Sequence, residues 1–479
     1  MAEQTLKEKT AKGLFWGGIS NGVQQVLGVL IGIILLKNLT EDDYGLVGML
    51  AIFIAIASTI QESGFIAALT NRPVFKDNDY NAVFWFNLIV GSSIYVVLYF
   101  CAPLIAGFYR EPALIPLSRV LFLSIVVGSM GIAHNAVLFK KLMVKERAKV
   151  DIFATAISGV IGIYMVLNGY GYWALAIQTL AASTLGTLLR WYFSPWRPGF
   201  SIDFTPVKEM FGFSFKMLVS SIVSQVQINI FSVLLGKFYT KAYVGFYSQG
   251  TKWAGMGTQV INGMIYSVAQ PVFVQVQSEK ERQSHMLRKM VRFISFISFP
   301  ALLGLAFISR DFITIINSNF LPAVPILQMY CMWGCVYLFS SLYIQIIIAH
   351  GRSNFYFWCT LVSSIIQIAV TFLACPYGLY WIAMANLIVS FLILLIWHIS
   401  VSKLIPLSFF NFLKDTVPYL LIVFVSIVIA WLITKQIENL YIKLIAKVLL
   451  VAVFYVAAMW FSSAVIFREV LSFLLKKKQ

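Results

Sequence analysis

The chain of 479 residues is 60% hydrophobic and only 11% charged. A soluble protein carries about 25% charged residues because its surface faces water, and no segment of this chain is polar enough to form a soluble domain. The net charge of +17 comes from Lys and Arg in short gaps between apolar runs. Nucleic-acid binders instead concentrate these residues on a soluble face among aromatic residues. Composition therefore indicates a membrane protein that binds no nucleic acid.

Apolar segments follow one another along the whole chain, and a helix needs about 20 such residues to cross a bilayer. The first segment is longer than the apolar region of a cleaved signal peptide, which has about 7–15 residues, so we expect it to stay as a helix. The fourteen predicted spans are residues 13–37, 45–70, 81–107, 116–139, 151–168, 171–193, 212–237, 245–270, 291–309, 323–349, 354–374, 378–401, 415–434 and 443–466.

The distribution of basic residues predicts how these spans are oriented. Cytoplasmic loops of membrane proteins carry an excess of Lys and Arg. With the N-terminus placed inside, 25 basic residues fall on that side and 9 on the other, while Lys216 and Lys252 lie within spans. We therefore predict an even number of crossings, with both termini and the basic loops at residues 140–149 and 280–292 in the cytoplasm.

The chain contains an internal repeat with an offset of 200 residues. Between Phe15 and Gly45, nine of the 31 positions are identical to those 200 residues later. Span 1 thus corresponds to span 7, and parallel repeats of this kind build transporters whose substrate site lies where the halves meet. The predicted fold is all-α with about 14 transmembrane helices. It comprises six-helix bundles at residues 1–200 and 201–402, and two extra helices with a basic tail at 403–479.

Little in the sequence indicates catalysis or a bound cofactor. The cysteines and histidines are scattered without the spacing of a metal site. Residues 77–79 have the D-x-D form that holds a metal-bound nucleotide sugar, but they lie in a short gap without a nucleotide-binding domain. No phosphate-binding G-x-x-x-x-G-K-[ST] segment occurs. We expect no enzymatic activity, metal or cofactor; a membrane glycosyltransferase or polymerase is the alternative from a different class.

Several segments resemble polysaccharide exporters of the Wzx type, in the branch of the colanic acid and teichuronic acid exporters. The stretch LTEDDYGLV at residues 39–47 is similar to their LTPEDFGLVAM. The E-S-G-F at residues 62–65 is similar to the D-x-G-F that ends their second helix. The resemblance covers about residues 10–400 and thins over the last two helices. Further similar segments lie at residues 271–277, 296–300, 321–327 and 349–352.

This resemblance implies membership of the multidrug/oligosaccharidyl-lipid/polysaccharide exporter superfamily, in which two bundles face a central cavity and work by alternating access. It implies a monomeric flippase of the bacterial inner membrane. The implied cargo is an undecaprenyl-pyrophosphate-linked oligosaccharide, moved to the periplasmic leaflet for lipopolysaccharide or exopolysaccharide synthesis. Expected partners are this substrate, membrane lipids, and the polymerase and glycosyltransferases of the pathway. A cation-coupled drug exporter and a peptidoglycan-precursor flippase of the same superfamily remain alternatives.

Charged residues inside spans are the first candidates for contact with such a cargo, because an unpaired charge in the bilayer core is costly. Lys252, seven residues into span 8, either contacts phosphate in the cavity or extends to the lipid headgroups. Lys216 lies nearer the end of span 7, which favours extension to the headgroups. Glu62 corresponds to Asn262 in the repeat. It either takes up a coupling proton or sodium ion, pairs with a cavity cation, helps to close the inner gate, or lies among the headgroups.

Uncharged polar residues make spans 1 and 7 unusually polar at mid-depth. They either hydrogen-bond sugar hydroxyl groups or join helices, at about 0.6 kcal/mol each. Arg119, three residues into span 4, is expected near the membrane interface. The predicted substrate-binding residues are Lys252, Lys216, Glu62, Asn262, Gln25, Gln225, Asn229 and Arg119.

Overall fold

The computed structural model is helical, without strands, over the part of the chain that it describes, which is residues 6–62, 77–141, 143–200, 204–276, 279–461 and 467–468. Side-chain surroundings are described for the same residues except 6–15, 19, 62, 206–217, 220, 267, 271 and 275. The helices are α1 (Leu6–Asn38), α2 (Glu41–Glu62), α3 (Asp77–Tyr109), α4 (Leu114–Leu121), α5 (Leu123–Lys140), α6 (Val144–Leu167), α7 (Tyr172–Phe193), α8 (Thr205–Phe238), α9 (Lys241–Gln275), α10 (Lys280–Ser298), α11 (Gly304–Ile316), α12 (Val324–Ala349), α13 (Ser353–Ala374), α14 (Leu379–Ser402), α15 (Phe409–Thr434) and α16 (Leu440–Phe461).

Thirteen segments among these helices are long and apolar enough to cross a membrane. The helices α4 and α5 together form one of them, and α10 and α11 form another with the π-helical turn Phe299–Leu303 between them. The helix α9 is not among the thirteen, although its 35 residues extend over about 50 Å, because its composition is more polar. The predicted all-α polytopic membrane fold is confirmed.

The shortest predicted gap between two spans is confirmed as a tight turn. The helix α6 ends at Leu167 and α7 begins at Tyr172. Between them, Gly169 has a φ of 78° and Gly171 a φ of 52°, and such positive values strain any residue that carries a Cβ atom. The two glycines therefore allow the chain to reverse within four residues.

The prediction of loops at residues 140–149 and 280–292 is wrong in part. The helix α6 begins at Val144 and α10 at Lys280, so most of both basic segments is helical. Along α10, Gln283, Leu287 and Val291 are buried at intervals of four residues, and the charged residues lie between them, as in an amphipathic helix. These charged turns extend the helices beyond their apolar spans.

The 200-residue repeat is visible in the ends of the helices. The helix α1 ends at Asn38 and α8 ends at Phe238. After a two-residue gap in each case, α2 begins at Glu41 and α9 at Lys241. The first and seventh spans therefore continue into the second and eighth in the same way.

Equivalent glycines of the repeat allow α2 and the first turn of α9 to cross closely. A Cβ atom on Gly45 would overlap the backbone carbonyl of Lys241, and one on Gly245 would overlap that of Glu41. In the repeat, Gly45 corresponds to Gly245 and Glu41 to Lys241, so the two contacts are equivalent and the crossing is symmetrical. All four residues belong to the same compact unit of the chain.

Helix packing divides the chain into two compact units, residues 1–245 and 246–479. In the first unit α1 packs on α6, α6 on α7, and α2 on α8. In the second unit α12 packs on α14, and the last two helices pack on α10 and α11. The boundaries expected at residues 200 and 402 remain a prediction.

Two ion-pair clusters attach the last two helices to the second unit. Asp415 of α15 accepts hydrogen bonds from Arg288 and Arg292 of α10, each at 2.6 Å. Lys447 of α16 donates to Asp311 of α11 at 2.5 Å, and both side chains are about nine-tenths buried. The count of basic residues assigns Lys447, near the start of span 14, to the non-cytoplasmic side, and this side stays a prediction. The structure shows that Asp311 neutralises the lysine within the helix bundle.

The glycine crossing should be intolerant of a single methyl group. Gly45→Ala or Gly245→Ala places a Cβ atom where a backbone carbonyl lies, so we expect a lower melting temperature of the purified protein. Gly107→Ala is the control, because its Cβ atom meets nothing within 4 Å. Equal melting temperatures for all three variants would contradict the close crossing.

The pair Lys447–Asp311 should behave as a buried ion pair. Lys447→Met leaves Asp311 buried without its cation, and we expect the free energy of unfolding in detergent to fall by about 3–5 kcal/mol. The double variant Asp311→Leu/Lys447→Met should recover most of this loss. Lys443→Met is the control and should change the free energy of unfolding little. Lys443 lies on the same helix, is half-buried and has no ion pair with a described residue. If Lys447→Met is as stable as the native protein, the pair contributes nothing to stability.

Candidate functional site

The helix α9 carries a stripe of polar side chains, which we call the polar face of α9. Lys252, Gln259, Asn262 and Tyr266 follow one another at intervals of seven, three and four residues, which places them on one side of a helix. Lys252 and Asn262 are half-buried, while Gln259 and Tyr266 are exposed. A membrane helix turns such a face toward protein or a water-filled cavity, because lipid does not solvate it.

The helix α9 begins before the predicted span 8, so Lys252 lies further from the start of its helix than from the start of that span. The helix begins at Lys241, so Lys252 is about 16 Å from the helix start at 1.5 Å per residue. Its Nζ atom lies 5.7 Å from the ring centroid of the neighbouring Trp253, within the range of a cation–π contact. Trp253 packs edge-on against Phe312 at 5.1 Å. Lys252 makes no ion pair with a residue that the structure describes.

A hydrogen bond joins Asn262 of α9 to α12. Its Oδ1 atom accepts a hydrogen bond from Ser341 Oγ at 2.6 Å. This bond holds the amide of Asn262 in a fixed position on the polar face of α9.

A column of aromatic rings also lies on α12. The ring centroids of Tyr330 and Trp333 are 5.8 Å apart, and Trp333 stacks on Tyr337 at 4.9 Å with an interplanar angle of 16°. The hydroxyls of Tyr330 and Tyr247 are 2.9 Å apart, and Trp333 Nε1 donates to Ser390 Oγ at 3.0 Å. These contacts fix the orientation of the rings, which adds flat apolar surfaces beside the polar groups.

The predicted polar residues of spans 1 and 7 lie on α1 and α8, and the structure does not join them. Asn229 Nδ2 donates to the backbone carbonyl of Gln225 one turn earlier, at 2.9 Å. Gln25 is half-buried and has no hydrogen bond to another described residue. Their contact with a substrate stays a prediction.

Arg119 packs against an aromatic ring. Its guanidinium carbon lies 4.3 Å from the ring centroid of Tyr99, which is a cation–π contact. Its Nε atom is buried and has no hydrogen-bond partner among the described residues. The structure thus gives Arg119 a partner on α3, and its contact with a substrate stays a prediction.

Two further predicted residues lie outside the described side chains. Glu62 is the last residue of α2 and Lys216 lies within α8, but the surroundings of both side chains are outside the described residues. Their proposed contacts with a coupling ion or substrate stay predictions. In the described part of the chain, no group of three His, Cys, Asp or Glu residues lies close enough to hold a metal ion.

A polar cavity in the first unit contains residues that sequence reasoning did not select. It has a volume of about 260 Å³ and lies between α2, α5 and α7. The signal in the sequence is polar residues at helical spacing within apolar runs, such as Thr179 and Ser183 in span 6. Arg190 lies in the last turn of α7, and its assignment to the cytoplasmic side stays a prediction. The polar lining consists of Ser58, Gln61, Ser124, Asn135, Thr179, Ser183 and Arg190.

Comparisons of the sequence identify similar proteins. The profile of the family described as "Polysaccharide biosynthesis protein" matches residues 34–325. The teichuronic acid biosynthesis protein TuaB of Bacillus subtilis (strain 168) is 26% identical over 369 residues, which cover 74% of each chain. The lipopolysaccharide biosynthesis protein WzxC of Escherichia coli (strain K12) is 25% identical over 337 residues, which cover 69% of this chain and 68% of that one.

Comparison of the structure identifies the fold. The lipid II flippase MurJ in an inward closed conformation matches with a TM-score of 0.75 and 16% identity, over 96% of this chain and 100% of that one. At this identity the match shows a shared fold alone. Together with the sequence relatives, it confirms the resemblance to Wzx-type exporters that the motifs indicate.

Proposed function

Because this chain belongs to the polysaccharide biosynthesis family whose profile spans residues 34–325, we propose that it flips an undecaprenyl-pyrophosphate-linked oligosaccharide from the cytoplasmic to the periplasmic leaflet. The names of its relatives, which refer to teichuronic acid and lipopolysaccharide biosynthesis, support a precursor of cell-surface polysaccharide as cargo. Such a cargo combines an anionic diphosphate, a polyhydroxylated head group and a long hydrocarbon tail.

The observation that carries this proposal is Lys252 on the polar face of α9. An ammonium group inside a membrane protein costs several kcal/mol unless an opposite charge or a polar cavity compensates it. Lys252 lies about 16 Å along the helix and is half-buried, which favours a contact inside the protein over extension to the headgroups. No described acid pairs with it, which leaves the ammonium available for the negative charge of a diphosphate.

The rest of the polar face suits the sugar head group. Asn262 and Tyr266 follow Lys252 by about 15 Å and 21 Å along the helix, a distance that several linked sugars span. Amide and hydroxyl groups exchange hydrogen bonds with sugar hydroxyls, and the rings of Trp333 and Tyr337 offer surfaces for the apolar faces of sugar rings. The head group thus lies along α9 with its diphosphate at Lys252.

Transport then follows from alternating access in the inner membrane, with both termini in the cytoplasm. The tail of the cargo remains among the membrane lipids, so the protein shields only the polar head group. Glycosyltransferases supply the substrate and a polymerase consumes it, while this chain makes and breaks no covalent bond.

A second candidate cargo is the lipid-linked precursor of peptidoglycan, favoured by the fold match to a lipid II flippase. The two cargoes share the diphosphate and the tail, so Lys252 serves both. They differ in the head group, because the peptidoglycan precursor also carries a peptide. Transport assays that supply each lipid separately distinguish the two functions.

Replacement of Lys252 should reduce transport without loss of the protein. Lys252→Ala removes a charge-assisted contact of about 1.5–3 kcal/mol, so we expect export of surface glycan to fall about 10- to 100-fold and the lipid-linked precursor to accumulate in cells. Lys252→Arg keeps the charge and should retain more export. Immunoblots measure the abundance of each variant.

Lys435→Ala is a matched control, because Lys435 also lies 5.7 Å from a tryptophan ring on its own helix but is exposed. Its export should equal that of the native protein. Normal export by Lys252→Ala would mean that Lys252 only reaches the lipid headgroups and does not bind the diphosphate.

A further inference from the structure

The polar cavity of the first unit is formed by one helix bundle alone. Its walls are α2, α5 and α7, and all three belong to residues 1–245. Arg190 lies along one wall because glycines on two helices leave it room. Its Nη1 atom is 3.5 Å from the position of a Cβ atom on Gly131 and 3.6 Å from that on Gly186.

Several polar groups of this cavity have no partner among the described residues. Ser58 and Asn135 are half-buried and make no hydrogen bond with another described residue. Gln61 is buried, and its side-chain amide donates to the backbone carbonyl of Ile125 at 3.1 Å. Polar groups in such a cavity bond water or a polar ligand when no protein group bonds them.

The charged and polar groups around the cavity indicate which class of ligand it can bind. Arg190 lies 3.8 Å from Asp151, so its positive charge is largely compensated and the site lacks the excess cation that a phosphate needs. No carboxylate lines the cavity, which argues against a metal ion. The amide and hydroxyl lining argues against an apolar compound, because such a ligand leaves these groups without partners.

We infer that this cavity binds one sugar residue of the cargo's head group, an inference that rests on the proposed function. A neutral sugar presents hydroxyl groups that both donate and accept hydrogen bonds, and the amides of Gln61 and Asn135 do the same. The volume of about 260 Å³ corresponds to about nine water molecules at about 30 Å³ each, enough for one sugar ring. A site of hydrogen-bonding groups rejects ligands that lack the matching hydroxyls, so it selects among head groups.

Binding to protein in lipid nanodiscs tests this inference with two probes. One is the lipid-linked oligosaccharide extracted from cells of the source strain, and the other is undecaprenyl diphosphate without sugar. Asn135→Leu keeps the size of the side chain and removes its hydrogen bonds. We expect it to weaken binding of the sugar-bearing lipid about tenfold and to leave binding of the sugar-free lipid unchanged.

Two further variants complete the test. Ser58→Ala is a smaller change, and it should also weaken binding of the sugar-bearing lipid without affecting binding of the sugar-free lipid. It keeps the test valid if Asn135→Leu folds poorly. Asn168→Leu, at an exposed turn of the same unit, should change neither affinity. Equal effects of the cavity variants on both lipids, or no effect on either, would overturn the sugar site.

Transport separates this outcome from failure of the proposed function. If the native protein flips the sugar-bearing lipid but the cavity variants bind it normally, the function stands and the cavity holds only water. If the native protein flips neither lipid, the proposed function fails, and the sugar site fails with it.

Discussion

Hydrocarbon does not solvate polar groups, and this constraint decides where the charged side chains of the membrane segments lie. Asp415 lies between two arginines, and Lys447 lies against Asp311. Lys252 has no such acid among the described residues, so only a polar cavity or an anionic ligand compensates it. The stability of the first two sites and the cargo binding that we propose for the third therefore depend on the same physical requirement.

The same constraint also explains which interactions make helix packing specific. Lipid tails are as apolar as leucine side chains, so the hydrophobic effect does not drive one membrane helix onto another. Close packing and polar contacts supply the specificity instead. The crossing at Gly45 and Gly245 is an example of the first, and the ion pairs of α15 and α16 are examples of the second.

Much of the fold is predictable from the sequence, because apolar runs and a repeat with an offset of 200 residues can both be recognised along the chain. The ion-pair partner of a charged residue cannot be recognised in this way. Lys447 and Asp311 are 136 residues apart, so a count of basic residues along the chain does not show that they pair. The helical start of α10 was missed for a related reason, since its charged residues resemble a loop until Leu287 and Val291 show its buried side.

The candidate site was predictable only in part. Lys252 and Asn262 stand out as polar residues within one apolar span, and the structure places both on α9. The cavity residues Gln61, Asn135 and Arg190 come from three different helices. Each of them alone resembles a residue that joins helices or lies at a membrane surface, so only the assembled bundle shows that they surround one space.

The most direct measurement of the central claim is flipping of a lipid-linked oligosaccharide by the purified protein in sealed proteoliposomes. A reagent that oxidises sugars and does not cross the bilayer reports the fraction of head groups in the outer leaflet. If the protein is a flippase, nearly all head groups become accessible over time, whereas protein-free vesicles expose only their outer leaflet. An accessible fraction equal to that of protein-free vesicles, with correctly folded protein present, would contradict the account.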